Sequence, residues 1–322
     1  FAKTHQNGQN LRGAPLEVRS ARDYLLNNFS LDSCRCKTSE NQIRTSAKAE
    51  SIKNKKNTET VISVREAWFR YEKDSKDILC GMNFDVHAGE LTCIVGGNGA
   101  GKTTALMTAA GVFAPYRGKV KYRGKPISTF RKDKSSAGKI GVLVQNPLCC
   151  FVMDSVAEEL EAAAKAYKLP RSRIEEVIDI MQLRNVLDSN PYDISGGELQ
   201  RAAIAKLLLP EPEVIFLDEA TKGMDAFFKA EFGALLRRLA ARGTAIVLVS
   251  HDIEFCAEFA DRCAMFFNGT VIAEGTPQDV FLGNSFYTTS ACRISRGIIP
   301  DALTAEQVID YANRCERKKN DA

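Results

Sequence analysis

The sequence predicts an α/β fold with a mostly parallel sheet covered by helices. Two observations carry this. From Glu213 onward short apolar runs alternate with helix-period segments: "EVIFLD", a helix over 227–241, "TAIVLVS" and a helix near 253–259. That alternation is the pattern of a parallel sheet with helical crossovers. Further upstream a glycine-rich loop, "GGNGAGKTT", stands between the apolar strand "ELTCIV" and the helical "ALMTAAGV".

In chain order, residues 1–58 are rich in Asn, Ser, Lys and Arg with few apolar clusters, and "KAESIKNKKNTET" reads as a solvated linker. This stretch is expected to be a partly disordered linker or the tail of a preceding domain. Within it "APLEVRSARDYLL" can form a short helix, and it echoes "DALTAEQVIDYA" near the other end, aligning Leu16 with Leu303, Asp23 with Asp310 and Tyr24 with Tyr311. The echo is either chance or the mark of a similar domain upstream. The chain opens on Phe1 rather than Met, so it is expected to be a processed product or a piece of a longer one.

From Val61 the pattern turns to strands: "VISVREAWFRY", "MNFDVHAGELTCIVG" and, with a glycine turn, "KVKYRGKPI". Helices are predicted over 155–167 and 172–181, each opening with a capping box: Ser155 with Glu158, and Ser172 with Glu175. "MFFNGTVIAEG" is a hairpin turning at Asn268-Gly269. From about 285 the chain is a helical tail, with Thr304 and Gln307 as its cap. The expected organisation is 1–58, a main domain over 59–284 with a helical insertion over about 146–200, and the tail 285–322.

Composition narrows the functional class. Over 322 residues, 44% hydrophobic and 26% charged content allow a sizeable core, and a net charge of +4 points to no nucleic-acid partner. No run approaches the roughly 18 apolar residues of a membrane span, and no leader pattern is seen. The ten cysteines are scattered; Cys34-x-Cys36 and the adjacent Cys149 and Cys150 lack a second pair at zinc-binding spacing.

The loop Gly96 to Thr104 matches G-x-x-x-x-G-K-[ST] in the strand–loop–helix context that the motif requires. Gly96, Gly97, Gly99 and Gly101, with Asn98 and Ala100 between them, let successive N–H groups face a phosphate at the positive end of a helix. Lys102 supplies a mobile charge, Thr103 a hydroxyl for Mg²⁺, and Thr104 extends the first turn. "VIFLDEA" is a buried strand ending in two acids: Asp218 to hold Mg²⁺, Glu219 to polarise an attacking water. "DISGGELQR" poses a puzzle, because Ser195 and Glu198 form a capping box around Gly196 and Gly197, a second anion-binding helix start.

Together these residues resemble the ATP-binding cassette (ABC) ATPases over about 61–284, with the glycine loop, "LVQNP", "ISGGELQR", "VIFLDEA", "TKGMD" and "SHD" in the family's order. The resemblance implies a P-loop NTPase: a mostly parallel RecA-like sheet flanked by helices, an antiparallel β subdomain and an inserted α-helical subdomain. It implies ATP and Mg²⁺ as cofactors and a second cassette as partner. In the family the "SGGE" segment serves the nucleotide of the neighbouring cassette, which answers the puzzle. It further assigns Tyr71 to stacking on adenine, against the plainer reading of a core aromatic. Gln145 becomes a Mg²⁺ ligand and water sensor, His251 the switch that contacts the γ-phosphate and orients Glu219, and Asp225 the acid of the loop that communicates across the dimer.

The departures are Glu198 and Leu199 where many cassettes have Gln, Ala220 for a frequent Pro, and Lys222 at a variable position; none removes a catalytic group. "LVQNPLCCFVMDSVAEEL", "EATKGMD" and the tail resemble the ATPases of energy-coupling factor (ECF) importers of vitamins or transition-metal ions, and the tail suggests the second half of a fused pair. An integral membrane subunit and a peripheral place on the cytoplasmic face of the membrane follow from that likeness. A chromosome-type cassette fits poorly because only about ninety residues separate loop and signature, without heptads, and a ribosome-type one because "KNKKNTET" is a poor match to its long linking helix. A non-hydrolysing regulator is disfavoured by Glu219 and His251, and a GTPase by the missing N-K-x-D motif.

Overall fold

The computed structural model describes residues 17–28, 59–133, 136–284, 287–299 and 301–320. They fall into two compact units, one over 59–276, the other combining described residues of the N-terminal region with those from Pro277 onward. Cys34, Cys36 and Leu16, with residues 1–16 and 29–58 of the region read as a linker or preceding tail, lie outside the described residues.

The larger unit has two sheets. β1 (Thr60–Phe69), β2 (Leu79–His87), β4 (Arg117–Tyr122) and β5 (Lys125–Pro126) form an antiparallel sheet of order β2-β1-β4-β5. The second sheet has order β10-β9-β3-β8-β7-β6, from β3 (Leu91–Val95), β6 (Ile140–Leu143), β7 (Val214–Asp218), β8 (Ala245–Val249), β9 (Arg262–Phe267) and β10 (Thr270–Gly275). It is parallel except for the β9–β10 hairpin, whose Asn268 and Gly269 both take positive φ, 46° and 79°, as a two-residue turn of matching twist requires. β3, β7 and β8 are buried at every position, which is why they read as unbroken apolar runs rather than alternating ones. Val61, Leu79, Phe216, Val247 and Phe266 join one core between the two sheets and α2 (Lys102–Ala109).

After α3 (Ile127–Lys132) and β6, a 3₁₀ turn over Pro147–Cys150 leads into the helical insertion: α4 (Val156–Tyr167), α5 (Arg171–Ile180) and α6 (Gly196–Leu208). Ser155 caps α4, accepting from the Glu158 N–H, but only this half of the expected box forms, without the return bond from the Glu158 side chain. The capping box read at Ser172 does not form. α5 already begins at Arg171, with Pro170 at the N-cap position and no side-chain cap. Pro170 has φ −72° and lacks an N–H, so it opens the helix one residue earlier and leaves Ser172 inside the first turn. α7 (Ala226–Ala241) is capped by Asp225 and α8 (Ile253–Phe259) by Asp252.

The smaller unit contains α1 (Val18–Asn28), α9 (Pro277–Phe281), α10 (Ser290–Ser295) and α11 (Ala305–Asn320). Leu25 packs with Ala291, Ile298, Ile299, Ala302 and Val308, so the early helix completes the tail's apolar cluster. Thr304 and Gln307 cap α11 reciprocally, as predicted. Among the described residues no helix is long and apolar enough to cross a membrane.

Candidate functional site

The glycine loop runs from the end of β3 into α2, and its conformation needs glycine. A Cβ on Gly96 (φ +156°) would lie 2.2 Å from the Phe266 carbonyl oxygen, and one on Gly101 (φ +98°) 2.9 Å from that of Ile78. The Asn268-Gly269 turn braces the loop, since the Gly269 N–H donates to the Ala100 carbonyl at 3.2 Å. Sequence reasoning placed this turn but not its support of the cradle, which depends on β9 lying beside β3.

The Lys102 ammonium folds back onto the loop, donating to the Gly96 and Gly97 carbonyls at 3.0 and 2.8 Å. Burial pulls its pKa below the ordinary lysine value, and the charges of Glu219 and Asp218 oppose that. Thr103 is exposed at the helix start, while Thr104 is buried and its hydroxyl meets the Tyr71 hydroxyl at 3.1 Å. Tyr71 itself is 62% exposed, edge-on to Phe69 and Phe113. It is not a core strand aromatic: β1 ends at Phe69, and the ring stands clear of the sheet beside the cradle.

The acids come from adjacent strands. Asp218 closes β7 opposite Val249 of β8 and is 1% exposed. Neither carboxylate oxygen has a hydrogen-bond partner among the described residues. Burial pushes its pKa above the usual range; the Thr103 hydroxyl pulls it down, Glu219 adds to the rise, and Lys102 and His251 oppose it. A buried carboxylate with no donor at full hydrogen-bond geometry, and the Thr103 hydroxyl as its polar neighbour, fits a divalent cation bound by hard oxygen ligands. Asp218 and Thr103 are the residues that fit Mg²⁺, with Gln145 at the rim.

One residue on, Glu219 has φ 52° and its N–H bonds the Val249 carbonyl at 2.9 Å. This left-handed kink separates its side chain from that of Asp218. The Glu219 carboxylate accepts from Gln145 Nε2 at 3.1 Å and lies 3.3 Å from His251 Nε2. Gln145 follows β6, Glu219 follows β7 and His251 follows β8. Three parallel neighbours thus deliver one side chain each to the C-terminal edge of the sheet, where open α/β sheets bind ligands.

The capping box at the start of α6 is complete. The Ser195 hydroxyl accepts from the Glu198 N–H, and Glu198 Oε2 accepts from the Ser195 N–H at 2.9 Å and the Ser195 hydroxyl at 2.7 Å. These bonds hold the Glu198 carboxyl below the usual carboxylate range. Gly196 has open space where a Cβ would stand, and one on Gly197 would come 3.3 Å from the Gly223 carbonyl. Asp225 accepts from the Phe228 N–H at 2.8 Å as the cap of α7. α6 packs on β6, which is three ladder steps from β3 in the strand order, about 14 Å across at ~4.8 Å per step. The structure therefore brings Lys102, Thr103, Gln145, Asp218, Glu219 and His251 into one cluster, and Tyr71 onto Thr104. The bonds of Ser195 stay within its own cap.

Residues 79–222 match the ABC transporter family. The chain is 38% identical, over 94% of its length, to a protein of Bacillus thuringiensis subsp. konkukian named as an ABC transporter ATP-binding protein, and covers 52% of that protein. It is 32% identical to the energy-coupling factor transporter ATP-binding protein EcfA of Methanocaldococcus jannaschii, covering 69% of this chain and 81% of EcfA. Among solved structures it resembles cbiO1 of Clostridium perfringens, part of the ABC transporter complex cbiONQ, with a TM-score of 0.64, 30% identity and coverage of 75% of this chain and 96% of that one. The chain spans about half the length of the Bacillus relatives it matches, 52% and 47% of two of them.

Proposed function

This chain belongs to the ABC transporter ATP-binding family, and from that premise we propose that it is the ATP-hydrolysing motor of a membrane transporter of the energy-coupling-factor type. The observation that carries the proposal is the Glu219 carboxylate held between Gln145 and His251, beside the buried, unpartnered Asp218. The adenine would stack on Tyr71, and the loop from Gly96 to Thr104 would cradle the phosphates. Lys102 would exchange its bonds to the Gly96 and Gly97 carbonyls for the β- and γ-phosphate oxygens. Mg²⁺ would supply positive charge at the phosphates, and Asp218, Thr103 and Gln145 would hold it. Glu219 would accept the proton of the attacking water, with His251 and Gln145 fixing its orientation.

We infer a second cassette because the Ser195 cap lies on a helix over β6 rather than over β3, so its free N–H groups suit another copy's γ-phosphate. Relatives about twice as long leave room for that cassette in the same polypeptide, and the echo of residues 14–26 in the tail agrees with it. EcfA and the cbiONQ protein support an importer, a membrane subunit and a peripheral place on the cytoplasmic face; a vitamin or transition-metal ion is the cargo class that likeness favours. In a phosphate-release assay the wild-type protein turns over ATP with Mg²⁺, and Glu219→Gln retains ATP while losing turnover. Unchanged turnover in Glu219→Gln would overturn the assignment of the water-activating base.

A further inference from the structure

Another buried carboxylate lies outside the nucleotide cluster. Glu159, in the first turn of α4, is 1% exposed. Its Oε1 accepts from the backbone N–H groups of Val152 and of Met153, the latter at 2.6 Å. Its Oε2 accepts from the Lys206 ammonium at 2.5 Å. Lys206 also donates to the Cys150 carbonyl at 2.5 Å and sits 5.8 Å from the centre of the Phe151 ring. Burial raises the Glu159 pKa, but the Lys206 bond and the two backbone donors outweigh it, so the carboxyl stays below the ordinary range.

Every polar bond in this knot leads to one of two places. One is the segment 150–153, which follows Gln145 through the 3₁₀ turn and presents Val152, 81% exposed, and Met153 to solvent. The other is Lys206, ten residues along α6 from Gly196, or about 15 Å at 1.5 Å per residue. α6 is unbroken between them, so its Ser195 cap and the knot belong to one rigid rod. Stability alone does not call for charges here, because apolar pairs of similar volume often do as well as a buried ion pair. What the charges add is direction: Glu159 on α4 and Lys206 on α6 together hold three backbone groups, the Cys150 carbonyl and the Val152 and Met153 N–H groups, against this packed pair of helices.

We propose that Glu159 and Lys206 are positioning residues that lock the 150–153 segment to α6, so that the Val152–Met153 step and the Ser195 helix start move as one body. This rests on the reading of Ser195 as a nucleotide-contacting group only for its purpose, not for the mechanical link itself. The link would carry nucleotide-driven movement of the helix start to the exposed step, and the reverse.

The test is hydrogen–deuterium exchange on the full chain, comparing wild type, Lys206→Met and Lys206→Arg. Without nucleotide, amides 150–153 of the wild type exchange at the rate of the adjoining α6 amides, as one opening unit. In Lys206→Met they exchange at least tenfold faster while the α6 amides hold their rate, and Lys206→Arg restores the shared rate. With Mg²⁺–ATP in the Glu219→Gln background, both segments slow together; adding Lys206→Met leaves the slowing at 196–198 and removes it at 150–153. If Lys206→Met does not fold, Glu159→Gln is read the same way, since its amide oxygen still accepts from the backbone while the charge facing Lys206 is gone. Equal exchange of the two segments in the folded variant overturns the proposal, as does a uniform loss of protection across both, which is the mark of a merely structural pair. A parent protein with no response to Mg²⁺–ATP would defeat the nucleotide reading, while the nucleotide-free comparison would still decide this one.

Discussion

Replacing Asp218 by Asn should make the ligand-free protein more stable and blind to Mg²⁺–ATP. The carboxylate is 1% exposed and both oxygens lack a partner among the described residues. Leaving one buried polar group unsatisfied costs about 1–3 kcal/mol, and more for a charge. Asn has the same shape, but its amide is still an unsatisfied buried polar group, so the substitution removes only the extra cost of the charge, about 1–3 kcal/mol. For a unit the size of residues 59–276, about 1–3 kcal/mol corresponds to a rise in Tm of about 2–12 °C. The wild type recovers more on binding: a ligand at a hundredfold excess over its Kd stabilises by about 2.7 kcal/mol. Asp218→Asn lacks the anionic ligand and should lose most of that Mg²⁺-dependent gain, while ATP with a chelator shifts both proteins alike. Thermal melts in four conditions suffice: no ligand, Mg²⁺ alone, ATP with chelator, and Mg²⁺–ATP. A ligand-free variant that melts below the wild type, or one that gains as much from Mg²⁺–ATP, refutes the reasoning that this carboxylate is kept unpaired for a cation.

Other perturbations test other parts of the site. Ser195→Ala removes the cap of α6 and should cost about 1 kcal/mol, or about 2–4 °C in Tm. Because the Ser195 bonds hold Glu198 below the usual carboxylate range, they contribute stability that is present above the ordinary carboxylate pKa and is lost as pH falls through the depressed one. Melts followed downward from neutral pH should therefore show a shallower acid decline in Ser195→Ala, and an unchanged decline would mean the bonds do not hold in solution. Tyr71→Ala deletes an exposed ring whose stacking on a base is worth about 1–3 kcal/mol, so ATP should bind about 5- to 150-fold more weakly by titration calorimetry; an unchanged Kd would place the adenine elsewhere.

Much of this architecture could be read from short windows of residues. The strand–loop–helix frame of the glycine loop, the Ser195–Glu198 box, the Asn268-Gly269 hairpin and the Thr304–Gln307 cap all form as read. Each is decided by groups within about four residues of one another, where turn geometry and orphan helix N–H groups leave few options. The same local rule failed at Ser172, because Pro170 competes for the same helix start and a cap signal does not say which of two residues in the same turn will open the helix.

What no window could supply is which distant residues meet. Gln145, Glu219 and His251 converge only because β6, β7 and β8 lie side by side in one parallel register, an order that differs from their order in the chain relative to β3. In the sequence Glu159 carries no signal beyond that of an acid near a helix start; that it is buried and bound to Lys206, 47 positions away, follows from the packing of α4 against α6. The distinct roles of Asp218 and Glu219 also needed three dimensions, since neighbouring acids in a chain look alike until one is sealed in a strand and the other turned out at φ 52°. Caps and turns are energies of neighbouring atoms, whereas the site is a product of strand order and burial, which exist only once the whole sheet has assembled.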